Sequence, residues 1–180
     1  MPVIRMTAVN AGGGVYHPPA IPMQIDAISE VTAINIACSS SDSAFNIAAN
    51  SSGHTIISEN GSVIDSVLTT QLLSINITGD SAGTTTVDFT GGDPLPTSGL
   101  SIDSGQLDIT GSSGSDSLFT TATAAVFGDA EIRHPATAGV TFLNAGPGDQ
   151  IIADAGTVTV AGDNDLIVLD GNLISPDYSR

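Results

Sequence analysis

Residues 111–119 read GSSGSDSLF, residues 144–152 read NAGPGDQII, and residues 160–169 read VAGDNDLIVL. In each stretch, a turn rich in glycine and in acidic or amide side chains leads directly into a short aliphatic segment. Glycine adopts the positive φ angles of tight turns, whereas β-branched and aromatic residues suit a pleated, half-buried strand. This repeated pattern of a glycine-rich turn followed by an aliphatic segment predicts short β-strands that are connected by tight turns and stacked on one another. It favours a role in shape and assembly over a role in catalysis.

The same alternation of short aliphatic segments and polar turns extends outward from this stretch to about residue 25. Eleven strands are predicted: Ile34–Ala37, Phe45–Ala48, Thr55–Ser58, Leu73–Thr78, Thr86–Phe89, Leu100–Asp103, Gln106–Thr110, Gly139–Leu143, Gln150–Ala153, Thr157–Ala161 and Leu166–Leu169. Most contain an apolar-x-apolar pair, such as Ile75 and Ile77, so each strand should bury one face. The segment Ser62–Leu73 differs, because its apolar residues have helical spacing after a serine. A short helix is predicted there.

Two all-β architectures fit these strands. One is a β-solenoid or β-roll-like stack of parallel strands, and the alternative is an antiparallel β-sandwich or jelly roll. Val140 and Val158 are 18 residues apart, and Val158 and Ile167 are 9 apart, which correspond to about one coil and half a coil. Spacing in the first half of the chain is less regular and suits a sandwich equally well. We therefore expect the solenoid and keep the sandwich as the alternative.

The chain is predicted to consist of an arm and one domain. Residues 1–24 contain three consecutive glycines and several prolines without a sustained period, which predicts an extended arm able to lie on a neighbouring subunit. Residues 25–180 form a single β-rich domain, most regular over residues 107–174. We expect the protein to associate with itself, in part through this arm.

The charge of the chain excludes several classes of partner. Nineteen acidic residues oppose three arginines, no lysine is present, and the formal net charge is −16. Binding to phosphate backbones or anionic lipids requires clustered Lys or Arg, so we expect no nucleic acid partner and no membrane insertion. Cys38 is the only cysteine, which excludes an intrachain disulfide. Glycines and prolines interrupt the N-terminus, so no cleavable signal peptide is visible.

The first acidic glycine turn resembles a known repeat. GSSGSDSLF is similar to the nonapeptide G-G-x-G-x-D-x-U-x of the calcium-binding β-roll repeats of RTX proteins. Gly111, Gly114, Asp116 and Leu118 match that pattern, and Ser112 stands at the second glycine. The other two copies keep only the Asp-x-Ile part, so the resemblance spans residues 111–171 in degenerate form.

The resemblance implies Ca²⁺ bound between adjacent turns by aspartate carboxylates and backbone carbonyls. Ca²⁺ takes six to eight oxygen ligands, which glycine-rich loops can supply. The candidate ligands are Asp116, Asp149, Asp163 and Asp165. The alternative is that these aspartates cap turns through their own hydrogen bonds.

The sequence offers no recognisable active site. His17, His54 and His134 lie apart from one another without metal-ligand spacing, and no G-x-S-x-G nucleophile elbow is present. We therefore expect a non-enzymatic structural protein, a self-assembling subunit of an extracellular filament, surface layer or virion appendage. The alternative is a calcium-stiffened adhesin or a carbohydrate-binding module.

Overall fold

A computed structural model of the chain describes residues 32–79, 81–143, 148–154 and 158–161, together with the backbone of residues 166–169 and 172–174. The predicted arm, residues 1–24, lies outside the described residues. The strands are β1 (Thr32–Ala37), β2 (Ala44–Ala49), β3 (His54–Glu59), β4 (Ser62–Leu68), β5 (Leu72–Thr78), β6 (Thr84–Asp88), β7 (Leu100–Ile102), β8 (Gln106–Thr110), β9 (Ser117–Thr120), β10 (Ala124–Phe127), β11 (Ala130–Arg133), β12 (Gly139–Leu143), β13 (Gln150–Ala153), β14 (Val158–Ala161), β15 (Leu166–Leu169) and β16 (Asn172–Ile174). One 3₁₀ turn, Thr69–Gln71, precedes β5, and the described residues contain no α-helix.

These strands form two sheets, which confirms the all-β prediction. The nine-stranded sheet has the order β1-β5-β7-β11-β10-β9-β13-β15-β16, and the seven-stranded sheet has the order β14-β12-β8-β6-β2-β3-β4. Antiparallel pairs occur between strands that follow one another in the chain, for example β3 and β4 or β9 and β10. The other pairs are parallel. From β5 to β8 and again from β11 to β15, successive strands alternate between the two sheets.

The parallel strands pair in register, so apolar side chains align across each sheet. The aligned rows are Ile34, Ile75, Leu100 and Ile132 in the nine-stranded sheet, and Phe45, Thr85, Leu107, Val140 and Val158, then Ile47, Val87, Ile109, Phe142 and Val160, in the seven-stranded sheet. Most of these side chains are fully buried, and those of both sheets belong to one hydrophobic core. Burial of each such side chain contributes about 1.5–3 kcal/mol. The rows therefore hold the two sheets together.

All eleven predicted strands are present, with bounds that differ by at most a few residues. The predicted burial of alternate residues is also confirmed, since Ile75, Ile77, Leu107 and Ile109 have almost no exposed surface. The eleven predicted ranges omit β4, β9, β10, β11 and β16, although the glycine-turn pattern of residues 111–119 predicts a strand where β9 lies. Alanines occupy several inward positions of β10 and β11, where the prediction relied on larger aliphatic residues.

The predicted helix over Ser62–Leu73 is wrong. This segment forms β4, the 3₁₀ turn and the first residues of β5. Asn60 and Gly61 have φ angles of 51° and 79°, as a two-residue hairpin turn requires, and Glu59 pairs with Ser62 across it. An Asn-Gly dipeptide between apolar segments is a strong hairpin signal, and β-branched Val63 favours a strand. The local turn thus outweighs the helical spacing.

Candidate functional site

The first two glycine turns occupy equivalent positions on neighbouring strands. Asp116 directly precedes β9 and Asp149 directly precedes β13, and these two strands are parallel neighbours. Leu118 pairs with Ile151, and Ile151 pairs in turn with Ile167 of β15. The sequence repeats therefore stack directly on one another. Asp163 and Asp165, the other two candidate calcium ligands, lie outside the described residues.

The carboxylates of Asp116 and Asp149 both accept hydrogen bonds that stabilise the turns. The Ser112 N–H donates to Asp116 Oδ2 at 2.6 Å, and the Ser112 hydroxyl donates to Asp116 Oδ1 at 2.9 Å. The Asp116 N–H donates to Asp149 Oδ1 at 2.8 Å, and the Gln150 N–H donates to the Asp116 carbonyl at 2.8 Å. Asp149 is buried. These hydrogen bonds close the turn before β9 and connect it to the turn before β13. This is the role expected if the aspartates cap turns.

Gly111 has no room for a side chain at this corner. A Cβ atom there would lie 2.5 Å from Asp116 Oδ2 and 2.9 Å from Phe142 Cζ. The carboxylate can therefore reach the start of its own loop only because residue 111 is glycine. This explains physically one glycine of the repeat-like pattern.

Calcium binding stays a prediction. Within the described ranges, no group of three or more His, Cys, Asp or Glu side chains lies close enough to hold a metal ion. Asp116 and Asp149 are brought together, but two of the four predicted ligands fall outside those ranges.

The last strand of the seven-stranded sheet, β4, carries an exposed apolar surface. Val63 is 63% exposed, Ile64 is 44% exposed and Leu68 is 37% exposed. We call these three residues the β4 edge surface. Among the described strands β4 pairs only with β3, so its other side presents backbone donors and acceptors at the border of the sheet.

A cavity of about 220 Å³ lies beside the stacked turns and is lined by Phe89, Phe127, Asp93, Asp129 and Ser112, among others. The ring centroids of Phe89 and Phe127 are 4.2 Å apart, and those of Phe127 and Phe142 are 5.9 Å apart. We call this space the Phe89–Phe127 cavity. Ser112, which bonds Asp116, connects it to the aspartate corner.

Two carboxylates, Asp93 and Asp129, line this cavity. Partial burial raises the pKa of Asp93, the hydrogen bond from the Leu95 N–H to its Oδ1 (2.9 Å) opposes that rise, and the negative charge of Asp129 adds to it. Both residues also line a smaller adjoining space of about 70 Å³. Two acidic side chains therefore line the same space as the rings of Phe89 and Phe127.

Sequence reasoning missed this cavity and a polar clamp at the other end of the fold. Glu59 Oε1 accepts hydrogen bonds from the Ser39 N–H, the Ser39 hydroxyl and the Ser43 hydroxyl, which lower the pKa of Glu59. The clamp joins the β1–β2 turn to the end of β3. The sequence contained a usable signal for the β3–β4 hairpin in Asn60-Gly61, but no signal that Phe89 and Phe127 meet.

Comparison with family models, curated proteins and solved structures finds no match for this chain. Within the part of the chain that the structure describes, no helix has the length and apolar character needed to cross a bilayer.

Proposed function

We propose that the chain forms a β-solenoid that serves as a non-enzymatic, self-assembling structural subunit. Parallel pairing in register and the alternation of successive strands between two sheets support the solenoid over the sandwich, since sandwiches are built mainly from antiparallel strands. The expected setting is an extracellular filament, a surface layer or a virion appendage, with the N-terminal arm as a further contact between copies.

The observation that carries this proposal is the β4 edge surface. A strand at the border of a sheet can pair with another chain, and natural proteins protect such strands with lysine, proline, an inward charge, a β-bulge or a covering loop. The β3–β4 pair has one irregularity in register, between Ile57 and Ser58. β4 contains no lysine and no proline, and its single charged residue is Asp65. Val63 and Ile64, which are both exposed, would lose accessible surface if a second strand paired with β4. A second copy of this chain is the occupant that we propose.

Sedimentation velocity over a wide range of protein concentrations tests this proposal. We expect the wild-type protein to associate, and Ile64→Lys to raise the dissociation constant by about tenfold or more, because an unpaired lysine would be buried at the contact. Association should strengthen as salt rises, since copies with a net charge of −16 repel one another. Negative-stain microscopy then distinguishes filaments from closed particles.

The matched control is Asn46→Lys, which places the same charge on an exposed outward position of β2, inside the same sheet. This variant should associate as the wild type does. A wild-type protein that stays monomeric at every concentration and salt level would contradict the proposal. Equal loss of association in both lysine variants would show that charge, and not the β4 edge, controls it.

A calcium-stiffened module is the second candidate, and the position of Asp116 and Asp149 on adjacent stacked turns favours it. Two carboxylates on adjacent turns provide part of an oxygen ligand set for Ca²⁺. Asp163 and Asp165 would contribute from the following turn. On this proposal the cation reduces repulsion within the acidic chain and stiffens the stack.

We expect Asp116→Ala to lower the free energy of unfolding by about 2 kcal/mol in EDTA, because the Ser112 donors lose a charged acceptor. Asp154→Ala, which removes an exposed carboxylate after β13, should have little effect. If calcium binds at the corner, Ca²⁺ should raise the melting temperature of the wild type and of Asp154→Ala but not of Asp116→Ala. An identical response to Ca²⁺ in all three proteins would contradict calcium binding at Asp116.

A further inference from the structure

The Phe89–Phe127 cavity is lined by two phenylalanine rings and by two aspartates, Asp93 and Asp129. Phe89 follows β6 and Phe127 ends β10, and both rings are almost fully buried although they face the cavity. Asp93 lies in the loop after Phe89, and Asp129 lies in the two-residue turn between β10 and β11. Two separate segments, residues 89–93 and residues 127–129, thus each contribute one phenylalanine and one aspartate to the cavity.

Among the described residues, no lysine or arginine lines the cavity beside Asp93 and Asp129. Arg133 is the only Lys or Arg among the described residues, and its Nε donates to Glu131 Oε1 at 2.8 Å. Asp93 accepts a hydrogen bond from the Leu95 N–H, which leaves further acceptor capacity on its carboxylate. Burial raises the pKa of Asp93 and the negative charge of Asp129 adds to that rise, so a ligand cation between the two carboxylates would offset their repulsion.

We propose that the Phe89–Phe127 cavity binds a primary ammonium compound that carries a small apolar group. The apolar group packs against the two phenylalanine rings, and the ammonium group lies at the rim and donates to Asp93 and Asp129. Charge-assisted hydrogen bonds to the two carboxylates favour such a cation. The net charge of −16 raises the local concentration of cations around the whole chain.

The composition of the cavity favours this ligand class over a bare divalent ion. Ca²⁺ requires six to eight oxygen ligands, whereas much of the wall here is phenylalanine and glycine. A neutral sugar would contact the rings but would leave the repulsion between the two carboxylates in place. An organic ammonium ion is complementary to both parts of the cavity.

Titration of the full chain with phenethylamine, followed by NMR of the phenylalanine ring protons, tests the proposal. The matched neutral ligand is 2-phenylethanol, which has the same carbon skeleton with a hydroxyl in place of the ammonium group. We expect saturable binding of the amine, about tenfold weaker binding of the alcohol, and weaker amine binding at high salt. Affinity for the amine should also fall as the pH is lowered and Asp93 becomes protonated.

Two variants distinguish the cavity from general attraction to an acidic surface. Asp93→Asn combined with Asp129→Asn should reduce amine affinity about tenfold or more and leave the alcohol unaffected. Asp65→Asn combined with Asp154→Asn changes the net charge equally at exposed or half-exposed positions away from the cavity lining and should bind the amine as the wild type does. Equal binding of amine and alcohol, or equal loss in both double variants, would overturn the proposal. Saturable Ca²⁺ binding at Asp93 and Asp129 without amine binding would overturn it as well.

Discussion

Replacing Gly99 with alanine is expected to lower the free energy of unfolding by about 2–5 kcal/mol. Gly99 has a φ angle of 76°, and a Cβ atom there would overlap the backbone carbonyl oxygen of Glu131 in β11. The left-handed conformation costs an alanine about 1–2 kcal/mol. Displacement of the packed backbone adds about 1–3 kcal/mol. Urea denaturation at constant m-value measures the sum.

Gly53→Ala is the matched control, because Gly53 has a φ angle of 74° and its Cβ position has no atom within 4 Å. This variant should lose only about 1–2 kcal/mol, the conformational part. If the two alanine variants are equally stable, the close approach of Gly99 to β11 does not contribute. The difference between them isolates the steric part.

Gly99 also bears on the Phe89–Phe127 cavity. Its N–H donates to the Pro96 carbonyl at 2.7 Å, and the Leu100 that follows pairs with Ile132 of β11. The loop that carries Asp93 is therefore fixed against the strand that follows Asp129. Gly99→Ala, which would disturb the contact with the Glu131 carbonyl, is therefore expected to weaken phenethylamine binding even at temperatures where the variant remains folded.

The sequence predicted eleven of the sixteen strands and the stacking of the first two glycine turns because both depend on local pattern. The Asp-x-Leu and Asp-x-Ile elements around Leu118 and Ile151 recur in the sequence, and these two residues pair directly in the structure. Tight turns and alternating burial are properties of short segments, so a sequence shows them without knowledge of the partner strand.

The candidate cavity could not be predicted in the same way. Phe89 and Phe127 are brought together by the order of the strands, and the residues between them contain three further strands. That order includes the β9–β10–β11 meander, which sequence pattern did not reveal. Nor did the count of acidic residues indicate which two carboxylates would meet. A non-local contact of this kind depends on register and topology, which local propensity leaves open.

Replacing Phe142 with alanine is expected to lower the free energy of unfolding by about 3–5 kcal/mol. Its ring is fully buried, stands 5.9 Å from that of Phe127 and lies next to Gly111 at the aspartate corner. In its row it aligns with Ile109 on one side and Val160 on the other. The substitution would leave a large void where the core, the corner and the cavity wall meet.

Leu143→Ala is the control on the same strand, because Leu143 is 38% exposed and points outward, and it should cost well under half as much. Comparable losses of unfolding free energy in the two variants would contradict a central role for the Phe142 ring.

Phe142→Leu keeps most of the buried volume and should remain folded, yet it changes the packing against the Phe127 ring. We therefore expect Phe142→Leu to weaken phenethylamine binding more than its loss of stability explains, whereas Leu143→Ala should bind the amine as the wild type does.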